Sequence, residues 1–280
     1  YGYYDYSKEK AVDEKTLYDL ASLTKVMATT QAIMFLNSRG LIDLDDQIEK
    51  HLPELKGTNK GDITLRNILT HEAGLLPYIP HFSKTLEGNQ WKTEYYSSQK
   101  NDDFPVEIAN GIFGNKALPD SVWKWTVASN LRYSGTKSTK YSYRYSDVGM
   151  YLLHRLIERK VNQPMEDFLE QQFYAPLGMN RFGYLPLLRF SPDQIAPTEQ
   201  DNLFRKTLVQ GYVHDPGAAL YGGVAGHAGL FGNASDLAKM MQMMLQNGKY
   251  GTEELLDQAT IEKFTNKQSF RSRRGLGWDK

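Results

Sequence analysis

Apolar residues recur at helical spacing in several stretches of the chain. From Ser22 onward, Val26, Met27, Thr30, Ile33 and Met34 repeat every three or four positions, and Gly40 follows as a stop. The polar and aromatic residues 1–16 read as a strand end and a loop. "TLRNILTHEAGL" predicts a second helix from about Thr64 to near Gly74. "YSDVGMYLLHRLIERKV" predicts a third, capped by Ser146 or Asp147, with Val148, Tyr151, Leu152, Leu156 and Ile157 on its apolar face. "PMEDFLEQQFYAPLGM" reads as a helix stopped by Pro176 and Gly178. "NASDLAKMMQMMLQNG" reads as one capped by Ser235, and "TEELLDQATIEKFTN" as two short ones. Residues 183–225 read as extended segments and loops. Residues 76–142, rich in Tyr, Ser, Asn and Lys, break the pattern. Long irregular segments in compact domains are often lids, so this stretch is read as an insertion over one face of a core. "LPDSVWKWTVAS" within it fits a helix or a strand.

Composition narrows the partners. The 280 residues carry 33 Lys+Arg and 33 Asp+Glu, so the balanced charge gives no general attraction to nucleic acid or an anionic membrane. The basic run Arg271-Ser272-Arg273-Arg274 reads as a solvated loop. With no cysteine, disulfides, thiolate metal sites and a cysteine nucleophile are excluded. No apolar run is long enough for a transmembrane segment. The chain begins at Tyr1 without a signal peptide, and the expectation is a piece of a longer protein.

Ser22 and Lys25 lie one helical turn apart. A serine hydroxyl needs a base to take its proton, and a lysine three residues along a helix shares its face. Burial disfavours the charged form of such a lysine and makes it a better base. The spacing alone is weak evidence, since Ser-x-x-Lys begins at Ser7, Ser22, Ser97, Ser121 and Ser134. Ser22 differs because it opens a long apolar helix. Otherwise it is a capping serine followed by a surface lysine. Tyr145-Ser146-Asp147 opens another helix; a tyrosine can relay a proton, and a carboxylate two residues on can bond the lysine and a substrate amide. That spacing recurs at Tyr3-Tyr4-Asp5, and its plainer reading is a packed tyrosine beside a capping aspartate.

"ASLTK", "NILTHEAGL", "YSDVGMYLL", "YAPLGM" and "GHAGLFGNASDLAKMM" occur in an order that resembles class C β-lactamases, penicillin-binding proteins and related serine esterases. "VQGYVHDPGAALYGGVAGHAGLF" is most similar to β-lactamase-like domains that follow a family-3 N-acetylglucosaminidase domain in some bacterial cell-wall enzymes. The resemblance implies an α+β, β-lactamase/transpeptidase-like fold, with the helical region dominant and the antiparallel sheet incomplete. It implies a single domain over 1–280, truncated at both ends. It makes Ser22 the acylated nucleophile, Lys25 its base and Tyr145 the relay. Asp147 stands where the family usually has asparagine; it would pair with Lys25, hold it charged and weaken it as a base. Asp147 and His227 are the candidate substrate-binding residues.

The family's third motif, Lys-Thr-Gly or His-x-Gly on an edge strand, supplies one oxyanion-hole N–H. Lys-Thr-Gly does not occur here, and His227-Ala228-Gly229 fits the short form in another context, where a structural loop histidine is the plainer reading. In the family a segment like "GLGW" leads into the last strands, which is why truncation is expected. His71-Glu72 reads as a helix end, His214-Asp215 as a turn before Pro216, and no histidine pair has metal-ligand spacing. Met240, Met241, Met243 and Met244 read as core. Trp123 and Trp125 fit a groove or the core equally.

The function expected is a serine hydrolase that forms an acyl-enzyme on a small-molecule or peptidoglycan-derived ester or amide. It would need no cofactor and no metal. The resemblance places it in the bacterial periplasm or on the outer surface, joined to an N-terminal glycosidase domain in the full-length protein. The alternative is a catalytically inactive cell-wall-binding accessory domain.

Overall fold

The computed structural model describes residues 2–132, 141–269 and 272–279. The Ser134 match to Ser-x-x-Lys lies outside the described residues, as do Tyr1, Arg271, Lys280 and part of the 76–142 stretch.

The helix expected from Ser22 is present. It starts at Leu23, runs as a π-helical segment over Lys25–Thr30 and continues as α1, Gln31–Ser38. The Thr30 hydroxyl donates to the Lys25 carbonyl five residues back at 2.7 Å, in step with the wider turn. Such π turns often mark functional positions. Met27, Ala28, Ala32, Ile33, Met34 and Leu36 are all buried, so this helix is the centre of the main core.

The other α-helices among the described residues are α2 (Leu65–Leu69), α3 (Leu118–Ala128), α4 (Val148–Val161), α5 (Met165–Leu169), which continues as a π-helical segment over Glu170–Tyr174, α6 (Pro216–Leu220), α7 (Ala234–Leu245) and α8 (Gln258–Thr265). α1 packs against α4 and α8. The predicted apolar face of α4 is buried throughout. α2 is shorter than the sequence suggests, because His71 takes a left-handed backbone conformation at φ 57°. α7 is capped by Asn233, whose side chain accepts from the Asp236 N–H, and not by Ser235. In place of two helices after Gly248 there is a short hairpin, Lys249–Tyr250 with Glu253–Glu254, and then α8 alone. α6 lies inside the stretch read as loops; Asp215 caps it from the position before Pro216.

An antiparallel sheet joins Tyr18–Asp19, Leu230–Gly232 and Phe182–Tyr184, with Leu230–Gly232 in the middle. The fold is therefore α+β with helices dominant, as expected. Residues 76–132 hold short hairpins and α3, which the sequence left open between helix and strand. They build a second core in which Tyr96, Ile108, Ile112, Leu118 and Val122 meet Tyr151, Phe204 and Ala218–Leu220.

Candidate active site

The strand Tyr18–Asp19 delivers the chain to the site. Asp19 accepts from the Ala21 N–H at 2.8 Å and from the His214 N–H at 2.6 Å. This clamps a turn in which Ala21 sits at φ 44°, a left-handed conformation unusual for alanine. Burial pushes the Asp19 carboxyl up, against the pull of those two N–H groups. Ser22 follows at once, exposed at the mouth of the central helix.

Lys25 lies beneath it with its side chain 4% exposed. Its ammonium donates to Ser22 Oγ at 2.8 Å and to the His227 carbonyl at 3.3 Å, and it pairs with Asp147 Oδ1 at 2.7 Å. The Tyr145 ring lies 4.7 Å from Nζ, in cation–π contact. No other described Ser-x-x-Lys match has this setting. Ser7 is in an exposed loop, and Ser121 lies inside α3 bonded to its own helix while Lys124 is exposed.

His71, read from sequence only as a helix end, shapes this site. Its carbonyl accepts from the Arg144 N–H at 2.8 Å and its Nδ1 accepts from the Ser146 N–H at 3.2 Å. Its ring lies 4.7 Å from that of Tyr145. Burial, then Arg274 and Lys25, bring its pKa down to about 3, so the ring is neutral and can accept that bond. Ser146 caps α4, accepting from the Val148 N–H at 3.2 Å and donating to the Leu76 carbonyl at 2.6 Å, while the Asp147 carboxylate makes no capping bond and is free to meet Lys25.

His227 enters the site by its carbonyl and not by its ring. The imidazole side chain is 3% exposed and pairs through Nε2 with Asp215 Oδ1 at 2.8 Å. Burial would raise the Asp215 carboxyl, but the charge and hydrogen bond of His227 and the Ala218 N–H outweigh it and hold it at about 2. Tyr78, 40% exposed, is pushed up to about 12 by burial and then by Asp215 and Asp147, which places it on the same acidic edge.

A cavity of about 380 Å³ joins Ser22, Lys25 and Tyr145 to His71, Arg274 and Asp279. Arg274, read as part of a solvated loop, is 6% exposed. It is drawn inward because Leu276 is fully buried, its N–H bonded to the Phe264 carbonyl, and the Gly277 N–H bonds the Leu69 carbonyl. Among the described residues no group of His, Cys, Asp and Glu could hold a metal ion.

A serine and a buried lysine at the head of a central helix, beside a small antiparallel sheet, define the β-lactamase and penicillin-binding-protein class. The chain belongs to the Beta-lactamase family, whose model matches residues 1–279. It is 35% identical over 283 residues to an Escherichia coli (strain K12) protein provisionally named D-alanyl-D-alanine carboxypeptidase, over 94% of this chain and 58% of that protein. It is 32% identical over 284 residues to a Bacillus subtilis (strain 168) protein named N-acetylmuramyl-L-alanine amidase, again over 94% and 58%. The octameric penicillin-binding protein homologue from Pyrococcus abyssi shares the fold at a TM-score of 0.67 and 22% identity, over 99% of this chain and 56% of that one. The chain thus spans little more than half the length of these proteins.

Proposed function

We propose that the chain is a serine hydrolase domain that forms an acyl-enzyme on Ser22 from a cell-wall peptide. The observation that carries this reading is the 2.8 Å contact between Lys25 Nζ and the exposed Ser22 hydroxyl. For acylation the neutral amine of Lys25 takes the Ser22 proton as Oγ attacks the carbonyl carbon. The proton then passes to the leaving group, with the Tyr145 phenol as relay. Water reverses the sequence: it gives a proton to Lys25, attacks the acyl carbon and frees Ser22.

Asp147 sets the pace of this cycle. Its carboxylate, 2.7 Å from Lys25 Nζ, competes with Ser22 for the lysine. His227 is a positioning residue, because its pairing with Asp215 fixes the loop whose carbonyl holds Lys25. The 76–142 stretch is read as an insertion over this face. Bonds from Ser146 to the Leu76 carbonyl and from the Asp147 N–H to the Pro77 carbonyl hold its first residues beside Asp147. An extracytoplasmic location, and a glycosidase domain joined in the full-length protein, belong to the same proposal.

The ion pair also favours a second reading, a binding domain in which Lys25 stays paired with Asp147 and nothing turns over. Product analysis separates the two. Incubation with a peptide ending in D-alanyl-D-alanine is expected to release D-alanine, and Ser22→Ala is expected to stop it. Release that persists in Ser22→Ala refutes the assignment of Ser22. A peptide bound but uncut under all conditions favours the binding domain.

A further inference from the structure

We propose that Arg205, which does not line the Ser22 cleft, is the positioning residue that sets both the nucleophile and its base. This rests on the hydrolase reading above and names what holds Ser22 and Lys25 in register.

The side chain of Arg205 is 0% exposed. The stretch Asp201-Asn202-Leu203-Phe204-Arg205 folds around its own aspartate. Asp201 Oδ1 accepts from the Leu203 and Phe204 N–H groups at 2.9 and 2.8 Å, an Asx turn. Its Oδ2 accepts from the Arg205 backbone N–H and from Nε, both at 3.0 Å. The two terminal nitrogens reach the backbone further along. Nη1 donates to the Val213 carbonyl and Nη2 to the His214 carbonyl, each at 2.6 Å. A planar fork holds two successive carbonyls at a fixed spacing, which a lysine ammonium does not. Val213 and His214 lie in neither helix nor strand, between the two-residue strand Leu208–Val209 and α6. Buried ion pairs add little net stability over apolar packing, so this clamp is better explained by the position it imposes.

That position serves the site by two routes. The His214 N–H donates to Asp19 Oδ2 at 2.6 Å, and Asp19 Oδ1 accepts from the Ala21 N–H at 2.8 Å. This holds the left-handed turn at Ala21 from which Ser22 emerges. The residue after His214, Asp215, pairs with His227 Nε2 at 2.8 Å, and the His227 carbonyl accepts from Lys25 Nζ at 3.3 Å. One fork thus governs Ser22 Oγ and Lys25 Nζ together, and acylation depends on their 2.8 Å contact. A shift of about 1 Å at such a contact costs about 10²-fold in rate.

The test reads chemistry and geometry separately. Arg205→Lys keeps the charge beside Asp201 and loses the fork. It is expected to slow fluorophosphonate labelling of Ser22 by about 10- to 100-fold, well below its melting temperature. Amide hydrogen exchange is expected to rise at Ala21 and His214 and to stay at the wild-type level in α1 and α4. Asp19→Asn cuts the Ser22 route alone, so adding it to Arg205→Lys is expected to slow labelling by no more than about twofold. Asp201→Asn leaves the fork with a weaker anchor and is expected to show the same pattern in smaller size; it takes the place of Arg205→Lys if that variant does not fold. An unchanged labelling rate, or unchanged exchange at those two amides, overturns the proposal. So does a fully multiplicative loss in the double variant. A rise in exchange that spreads through α1 and α4 also overturns it, because Arg205 would then serve general stability. Failure of the wild-type protein to label sinks the hydrolase reading, and exchange at Ala21 and His214 still decides whether Arg205 sets the turn.

Discussion

Replacing Asp147 by asparagine removes one charge and keeps the shape of the side chain, and the structure gives the size of the effect. At 2.7 Å and an effective dielectric near 20, the Lys25–Asp147 attraction is about 6 kcal/mol. Desolvation of the two groups, with side chains 4% and 21% exposed, offsets much of this. A net effect of about 1–3 kcal/mol remains. Without the carboxylate, Lys25 Nζ is held by Ser22 Oγ and the His227 carbonyl alone. Ser22 acylation should therefore be roughly fivefold or more faster. Stopped reactions with a fluorophosphonate between pH 5 and 10, read by intact mass, measure this directly. An unchanged rate refutes the argument. A large fall in rate at every pH would make Asp147 the final proton acceptor, reached through Lys25.

Three other outcomes follow from the geometry. Lys25→Ala should slow acylation by about 10²–10⁴-fold, the range for losing a positioned base, when labelling rates are compared with wild type. His71, held at about 3 against an ordinary 6.5, is protonated in the unfolded chain before the folded one. The unfolded state then binds more protons between these values, so the His71 contribution is intact above pH 6.5 and declines as pH falls toward 3. Denaturant unfolding of His71→Gln should lose about 1.4 kcal/mol per unit of the acid slope in that window; an unchanged slope counts against a buried neutral ring. Gly226→Ala would press a Cβ against the Met150 carbonyl and the Thr29 hydroxyl. Such overpacking costs about 1–3 kcal/mol. Thermal melting should show the loss, and Ser22 labelling should slow as the loop carrying the His227 carbonyl shifts.

The parts of this site that lie on long periodic helices were legible in the sequence. Ser22 and Lys25 open the helix at the centre of the main core, and Asp147 heads α4, whose apolar face is legible residue by residue. The parts set by backbone in irregular segments were not. Asp19 looks like an ordinary strand residue, yet its carboxylate holds the turn at Ala21. The aspartate two residues before Ala21, a spacing typical of Asx turns, was the available signal. His71 acts through a left-handed backbone and a bond to Ser146, which lies 75 positions away. Arg274 looked like solvated charge because only tertiary burial of Leu276 draws it inward. The Ser235 cap failed for a smaller reason: Asn233, two residues earlier, is an equally good capping residue and its side chain reached the free N–H first.

The central claim is that Ser22 is an activated nucleophile. Its most direct test is peptide-mapped mass spectrometry after a fluorophosphonate and, separately, a penicillin, with Ser22→Ala alongside. The account predicts one adduct per chain, located on Ser22 and lost in the variant. An adduct that maps to another residue, or that survives in Ser22→Ala, would contradict it.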